Sequence, residues 1–244
     1  MILVSWIWKI WFLIYMFIST VVFYPFLWIS IVVLKNYPLT FKIYKIWGSS
    51  ICFFLGIYPI VEGIENLPKN NGYILIANHS SQLDIIVPYA LLSNHFAFLA
   101  KKELEKLPLF NINFKGMNVT VDRKSMVSGI ESLSACANKL DKNINLLIFP
   151  EGTKNKTAPQ LAPFKNGPFK LSIHKNVPIV PLVFLHNYKR FPADFKNGKA
   201  SPGISKLVIL PPIYPDQIEE NSVEALKKES FNAIQNYISH QNLS

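Results

Sequence analysis

Cysteine is nearly absent from this chain of 244 residues: only Cys52 and Cys136 occur, far apart and in unlike surroundings. They supply neither a disulfide framework nor a metal cluster, so a reducing compartment is the default. Arginine also occurs only twice, as Arg123 and Arg190, which makes either one conspicuous beside a motif. Acidic residues are missing from the first 61 positions, whose only charges are Lys9, Lys35, Lys42 and Lys45. Tryptophan is confined to that same stretch, as Trp6, Trp8, Trp11, Trp28 and Trp47. No internal repeat or low-complexity tract interrupts the chain.

What is present is apolar and basic. Half the residues are hydrophobic and 14% aromatic, rich for a freely soluble protein. The net charge is +10, and residues 152–215 concentrate it, with ten Lys or Arg against the single acid Asp194. Such a block attracts nucleic acid, anionic lipid or a phosphorylated substrate. A nucleic-acid partner fits poorly, because the early segment is greasy rather than alternating basic and aromatic. A membrane with anionic lipid, together with an anionic substrate, fits both halves.

Residues 10–34 run 25 positions without a charge, roughly 37 Å as a helix and enough to cross an apolar layer of about 30 Å. The run is too long for the apolar part of a signal peptide, and no small-residue cleavage site follows. Pro25 is expected to divide it into halves too short to span. A second apolar segment, 43–61, carries Gly48, Gly56 and Pro59 together with Lys45. The pair is expected to form one span plus a surface helix, or a hairpin lying in one leaflet. The clustered tryptophans suit an interfacial aromatic belt. A buried helical hairpin of a soluble core is the plainer alternative.

Residues 62–72 are polar and rich in turn formers, which sets the boundary between membrane-associated helices (1–61) and a second domain (62–244). Beyond it, strand patterns at 73–77, 96–100, 118–121, 145–149, 179–184 and 206–210 alternate with helical patterns at 83–92, 125–140, 164–175 and 222–239. The last helix shows Val223, Leu226, Ile234 and Ile238 on one stripe, and Asn221 with Glu224 reads as its capping box. The expected fold is α/β, with a mixed, largely buried sheet flanked by helices.

The chemistry gathers where strands end. Tyr73 to Ala77 is an apolar run that stops at Asn78, His79, Ser80, Ser81 and Gln82 before a helical pattern resumes at Leu83. On one continuous helix His79 and Asp84 would lie about 140° apart. They meet only if His79 sits in the loop and Asp84 in the first helical turn. Asp84 then holds one imidazole nitrogen and leaves the other free as a base. The alternative is a capped helix start, with Ser80 or Ser81 as cap and Asp84 complementing the helix dipole.

Three further stretches follow the same plan. A strand at 118–121 delivers Asp122 and Arg123, whose guanidinium suits bidentate phosphate contacts. The run Leu146-Leu147-Ile148-Phe149-Pro150 empties into Glu151, Gly152, Thr153 and Lys154. There Gly152 lets backbone N–H groups approach an oxyanion, and Glu151 can accept a hydrogen bond from a substrate hydroxyl. Val177-Pro178-Ile179-Val180-Pro181 offers no titratable group and reads as an apolar wall. His174 and His186 stand outside these loops, which leaves a metal hydrolase short of ligands. Three sequons begin at Asn78, Asn118 and Asn155; lying in or beside the motif loops, they read as accidents rather than glycosylation sites.

In this order, Asn-His-x-x-x-x-Asp, Val-Asp-Arg, Phe-Pro-Glu-Gly-Thr and Val-Pro-Ile-Val-Pro, the chain resembles the 1-acyl-glycerol-3-phosphate acyltransferase family from about residue 61 to 210. Leu99-Ala100-Lys101-Lys102-Glu103-Leu104 and Phe164-Lys165-Asn166-Gly167 add to the likeness. The resemblance implies a membrane enzyme, its catalytic domain on the cytoplasmic face (the inner membrane if the source is bacterial). It would transfer a fatty acyl group from acyl-CoA or acyl carrier protein to lysophosphatidate, giving phosphatidate without a cofactor or metal. His79 would be the general base and Asp84 its orienting partner. Lys101 and Arg123 would meet the substrate phosphate, and Glu151, Gly152, Thr153 and Lys154 would bind substrate near the glycerol. Two positions depart from the pattern: Met117 replaces a glycine that here stands one residue early as Gly116, and Lys154 replaces an arginine. The rivals are a different acceptor, such as glycerol 3-phosphate or another lysolipid, and a lipid-binding module without catalysis.

Overall fold

Short apolar runs become strands buried on both faces, as expected where helices cover a parallel sheet. The computed structural model describes residues 2–70, 72–218 and 222–242. Its strands are β1 (Ile57–Glu62), β2 (Ile74–Ala77), β3 (Phe96–Lys101), β4 (Val119–Val121), β5 (Asn145–Ile148), β6 (Ile179–Phe184) and β7 (Gly203–Ile209). They form one seven-stranded sheet in the order β1-β7-β6-β2-β5-β3-β4. Neighbours run parallel except β6 and β7, so the sheet is mixed, as the sequence predicts. The central β2, β5 and β6 are buried at every position.

The helices are α1 (Ile2–Trp28), α2 (Tyr37–Phe54), α3 (Leu83–Leu91), α4 (Met126–Leu140), α5 (Gly167–Lys175), the short α6 (Asn187–Arg190) and α7 (Val223–Asn242). Strand alternation divides the core in two. Leu75 and Ala77 of β2 face a cluster with α1, α2 and α3, through Phe12, Ile51, Ile86 and Val87. Ile74 and Ile76 face the opposite cluster with α4, α5 and α7, through Cys136, Phe169, Leu226 and Ile234. Between α2 and α3 the approach is close: a Cβ on Gly48 would lie 3.0 Å from the Ile86 carbonyl oxygen. The start of α7 is capped by Ser222, whose Oγ accepts from the Ala225 N–H at 3.1 Å. Asn221, the expected cap, lies outside the described residues, and Glu224, its expected capping-box partner, is ion-paired with Lys227.

The first 62 residues differ most from expectation. Pro25 does not end α1, which runs through it and widens into a π turn at Ile29–Val33. Proline removes one N–H and crowds the preceding turn, but in a helix packed along a neighbour the remaining bonds hold the axis. The reversal comes later, at Asn36, whose side chain accepts from the Leu39 N–H at 3.0 Å and starts α2. Among the described residues one helix, Ile2–Val33, is long and apolar enough to cross a membrane. The segment 43–61 is not one apolar element but the end of α2 followed by β1. That strand pairs with β7 from Ile57↔Gly203 to Glu62↔Val208, so the division drawn after residue 61 falls inside a strand. Trp8, Trp11 and Trp47 pack against the protein, while Trp11 also stays exposed, as do Trp6 and Trp28. Trp8 and Trp11 donate through Nε1 to the Leu55 and Phe54 carbonyls at the end of α2, at 3.1 and 3.0 Å, and Trp47 is buried.

Candidate active site

The loop after β2 carries His79, and the first turn of α3 carries Asp84, which the spacing requires if the two are to meet. His79 Nδ1 lies 2.9 Å from Asp84 Oδ2. That same oxygen accepts from the backbone N–H groups of Ser80 and Ser81, at 2.7 and 2.8 Å. Asp84 therefore shapes the loop and holds the imidazole at once, and the two readings of this segment merge. Asp84 is wholly buried, and its carboxylate is matched by donors on both oxygens. Hydrogen bonds to a carboxylate are stronger than those between neutral groups, so the cluster holds the loop and the ring in place. The His79 ring, 13% exposed, stacks on Phe149 with centroids 4.0 Å apart and planes 16° from parallel. With Nδ1–H engaged, Nε2 is the free acceptor, able to take a proton from a hydroxyl.

Glu151 stands beside this dyad but faces inward. Its Oε1 accepts from the His79 N–H at 2.8 Å, and its Oε2 accepts from Ala162 N–H at 2.8 Å and Asn155 Nδ2 at 2.9 Å. Burial pushes its carboxyl above the ordinary glutamate value, and these three donors, then the nearby His79, oppose the rise. The carboxylate clamps the His79 backbone to the loop that follows β5. Gly152 takes a positive φ of 78°, and its N–H donates to the Phe149 carbonyl at 3.0 Å. Thr153 and Lys154 follow, exposed, with Lys154 Nζ 3.2 Å from Gln82 Oε1.

The cations predicted for phosphate come out together at the far end of the sheet. Lys101 is the last residue of β3 and pairs in register with Val121 of β4, so Arg123 emerges just beyond it. Lys101 is ion-paired with Glu103 at 2.9 Å, both half exposed, and the Glu103 charge also reaches Arg123. Arg123 itself is exposed and makes no hydrogen bond among the described residues. All three sequon asparagines are used internally. Asn78 bonds both the N–H and the carbonyl of Phe184, Asn118 accepts from Phe98 N–H, and Asn155 holds Glu151. The wall expected at 177–183 is β6, buried throughout.

One member of the site escaped the sequence reading. Asn187 in α6, wholly buried, donates through Nδ2 to Asp84 Oδ1 at 2.8 Å, across 103 positions of chain. The Ser205 hydroxyl of β7 donates in turn to Asn187 Oδ1, which fixes the amide with its NH₂ toward Asp84. Neither residue belongs to a strand-end motif, and only the sheet order places α6 and β7 behind the dyad.

Comparison with known proteins agrees with this geometry. Residues 59–185 match the family model described as Acyltransferase. The sheep (Ovis aries) 1-acyl-sn-glycerol-3-phosphate acyltransferase alpha is 30% identical over 188 residues, which cover 76% of this chain and 64% of that protein. The chain thus spans somewhat less than two thirds of that relative. The Helicobacter pylori 1-acyl-sn-glycerol-3-phosphate acyltransferase is 34% identical over 167 residues, 68% of this chain and 69% of its own length. The crystal structure of the 1-acyl-sn-glycerophosphate (LPA) acyltransferase PlsC from Thermotoga maritima has the same fold. Its TM-score is 0.81 at 23% identity, over 98% of this chain and 97% of that one. On the family match and the extent of the bacterial relative, the chain belongs to the acyltransferase family.

Proposed function

We propose that the chain transfers a fatty acyl group from a thioester, acyl-CoA or acyl carrier protein, to the sn-2 hydroxyl of lysophosphatidate, forming phosphatidate. The carrying observation is the His79–Asp84 contact of 2.9 Å at a strand's carboxyl end, with Nε2 unengaged among the described residues. In this reading His79 Nε2 takes the proton as the hydroxyl oxygen bonds to the thioester carbonyl carbon. The tetrahedral intermediate collapses, the C–S bond breaks, and the imidazolium returns the proton to the departing thiolate. Asp84 stabilises the imidazolium between these steps, and no protein nucleophile is needed because the thioester is already activated. General-base assistance is worth about 10²–10⁴ in rate, and positioning supplies much of the rest.

Arg123 and Lys101 suit the acceptor's phosphate, and the names of the sheep and bacterial relatives favour lysophosphatidate over other acceptors. Residues 1–61 are proposed as the membrane-associated part, with β1 at their end completing the sheet, and 62–244 as the catalytic part. The basic residues of the latter would face the anionic cytoplasmic leaflet. The apolar outer surface of α1 supports that attachment: Leu3, Ile7, Ile10, Phe17 and Val22 are all exposed. The test is purified full-length protein offered lysophosphatidate, glycerol 3-phosphate and monoacylglycerol with a set of acyl donors. Phosphatidate formation is expected. Product from glycerol 3-phosphate alone would reassign the acceptor, and no transfer to any acceptor would leave a lipid-binding module.

A further inference from the structure

Two substrates must reach one imidazole, and the strand order separates their approaches. His79 leaves the carboxyl end of β2. On one side, past β5, stand Lys101 and Arg123 at the ends of β3 and β4. On the other side β6 leads into α6 and the loop after it. There a cavity of about 320 Å³ opens among Ser80, Asn155, Lys156, Tyr188, Ala193 and Asp194. It contacts the dyad's own loop through Ser80, the residue after the base. The Ser80 side chain is 2% exposed, and its hydroxyl has no hydrogen-bond partner among the described residues. Leaving a buried hydroxyl without a partner is unfavourable, so one at a cavity wall marks a place for a ligand's polar group.

The cavity is lined by Lys156 and by the polar side chains of Ser80, Asn155, Tyr188 and Asn197, which suit a slender polar chain with an anionic end. Asp194, its one carboxylate, is already engaged by the N–H and Nδ2 of Asn197, at 3.2 and 3.1 Å. Lys156 lines it, and Lys196 and Lys199 are exposed in the same loop. The loop is held from behind by α1. Lys9 Nζ donates to the Phe195 carbonyl at 2.7 Å, Ser5 Oγ accepts from Ala200 N–H at 2.7 Å, and Phe12 stacks on Phe191 at 4.1 Å. These contacts tie the cavity wall to the apolar helix α1.

We propose that this cavity seats the phosphopantetheine-type arm of the acyl donor, bringing its thioester to His79 from the side opposite Lys101 and Arg123. The proposal rests on the acyltransferase reading. The arm is common to acyl-CoA and acyl carrier protein, and its phosphate meets Lys156 and its neighbours.

The test is site-directed labelling of the full-length protein carrying Ala193→Cys, with Ala158→Cys, also in the cavity lining, as a second reporter. The native Cys52 and Cys136 are 2% and 0% exposed and contribute little background. Maleimide labelling is followed with palmityl-CoA thioether, with the same thioether on acyl carrier protein, and with lysophosphatidate. Either thioether is expected to slow labelling at least tenfold, and lysophosphatidate is expected not to. Protection by both supports the arm itself as the ligand; protection by one supports it and identifies the carrier. Protection by neither, or by lysophosphatidate alone, overturns the proposal. In turnover, Ala193→Trp should raise the donor KM about tenfold and leave the lysophosphatidate KM within twofold. If the wild-type protein makes no phosphatidate, yet the Ala193→Cys protein is protected by the thioethers, the proposed reaction is defeated and the donor cavity stands.

Discussion

Replacing Asn187 by alanine tests whether the dyad depends on support from behind. Among the described residues Asp84 Oδ2 has three donors, but Oδ1 has Asn187 Nδ2 alone, at 2.8 Å. Asp84 is fully buried, so the lost donor is not replaced by bulk water. A hydrogen bond to a charged group is worth about 1.5–3 kcal/mol. Where that loss falls on the orientation of the imidazole, kcat drops roughly ten- to 150-fold. Asn187 touches neither proposed substrate, so KM for both should stay within twofold. Ser205→Ala should lose less, since it only releases the amide to rotate. The double variant should be no worse than Asn187→Ala, because both act through one contact. The assay is steady-state turnover over both substrates, with a melting curve for each variant. Unchanged kcat in a folded Asn187→Ala protein, or additive losses in the double variant, would refute the positioning role.

His79→Ala should abolish nearly all turnover while leaving the melting curve close to wild type; near-normal activity would defeat the proposed base. Asp84→Asn should be crippled as well, by about 10⁴-fold in a comparable triad. Arg123→Ala should reduce kcat/KM for lysophosphatidate roughly ten- to a hundredfold more than for monoacylglycerol, with Arg123→Lys recovering only part; equal losses for the two acceptors would place Arg123 outside phosphate recognition. Ile10→Asp with Phe17→Asp, on the exposed face of α1, should remove binding to neutral vesicles and leave salt-sensitive binding to anionic ones. Undiminished sedimentation with neutral vesicles would mean that α1 is not the attachment. Glu151 has a folded-state pKa raised above its unfolded value, so folding favours its protonated form and stability is lost as pH rises through the folded value. Wild type should therefore lose stability relative to Glu151→Gln as pH rises from below the ordinary glutamate range; urea midpoints across pH would show the opposite slope if the carboxyl were not buried.

Local pattern determined much of this protein. Apolar runs of four to six residues bounded by turns became β2, β3, β5 and β6, because a strand buried on both faces needs a continuous apolar stretch. The spacing of His79 and Asp84 across a strand end and a helix start also specified their contact, since both lie within one loop and one turn. Tertiary structure decided the rest. Ile57–Glu62 has the same greasy composition as the helix before it, and only the exposed edge of β7 makes it a strand. Pro25 is a local signal for a break that packing along α2 overrides. Glu151 could have pointed at substrate or into the loop. Partners 72 positions earlier and 11 later turned it inward, where three N–H groups needed an acceptor. Asn187 and Ser205 reach Asp84 because the sheet places β6 beside β2 and β7 beside β6. Crossover connections set that order, and they leave no trace in the periodicity of either segment.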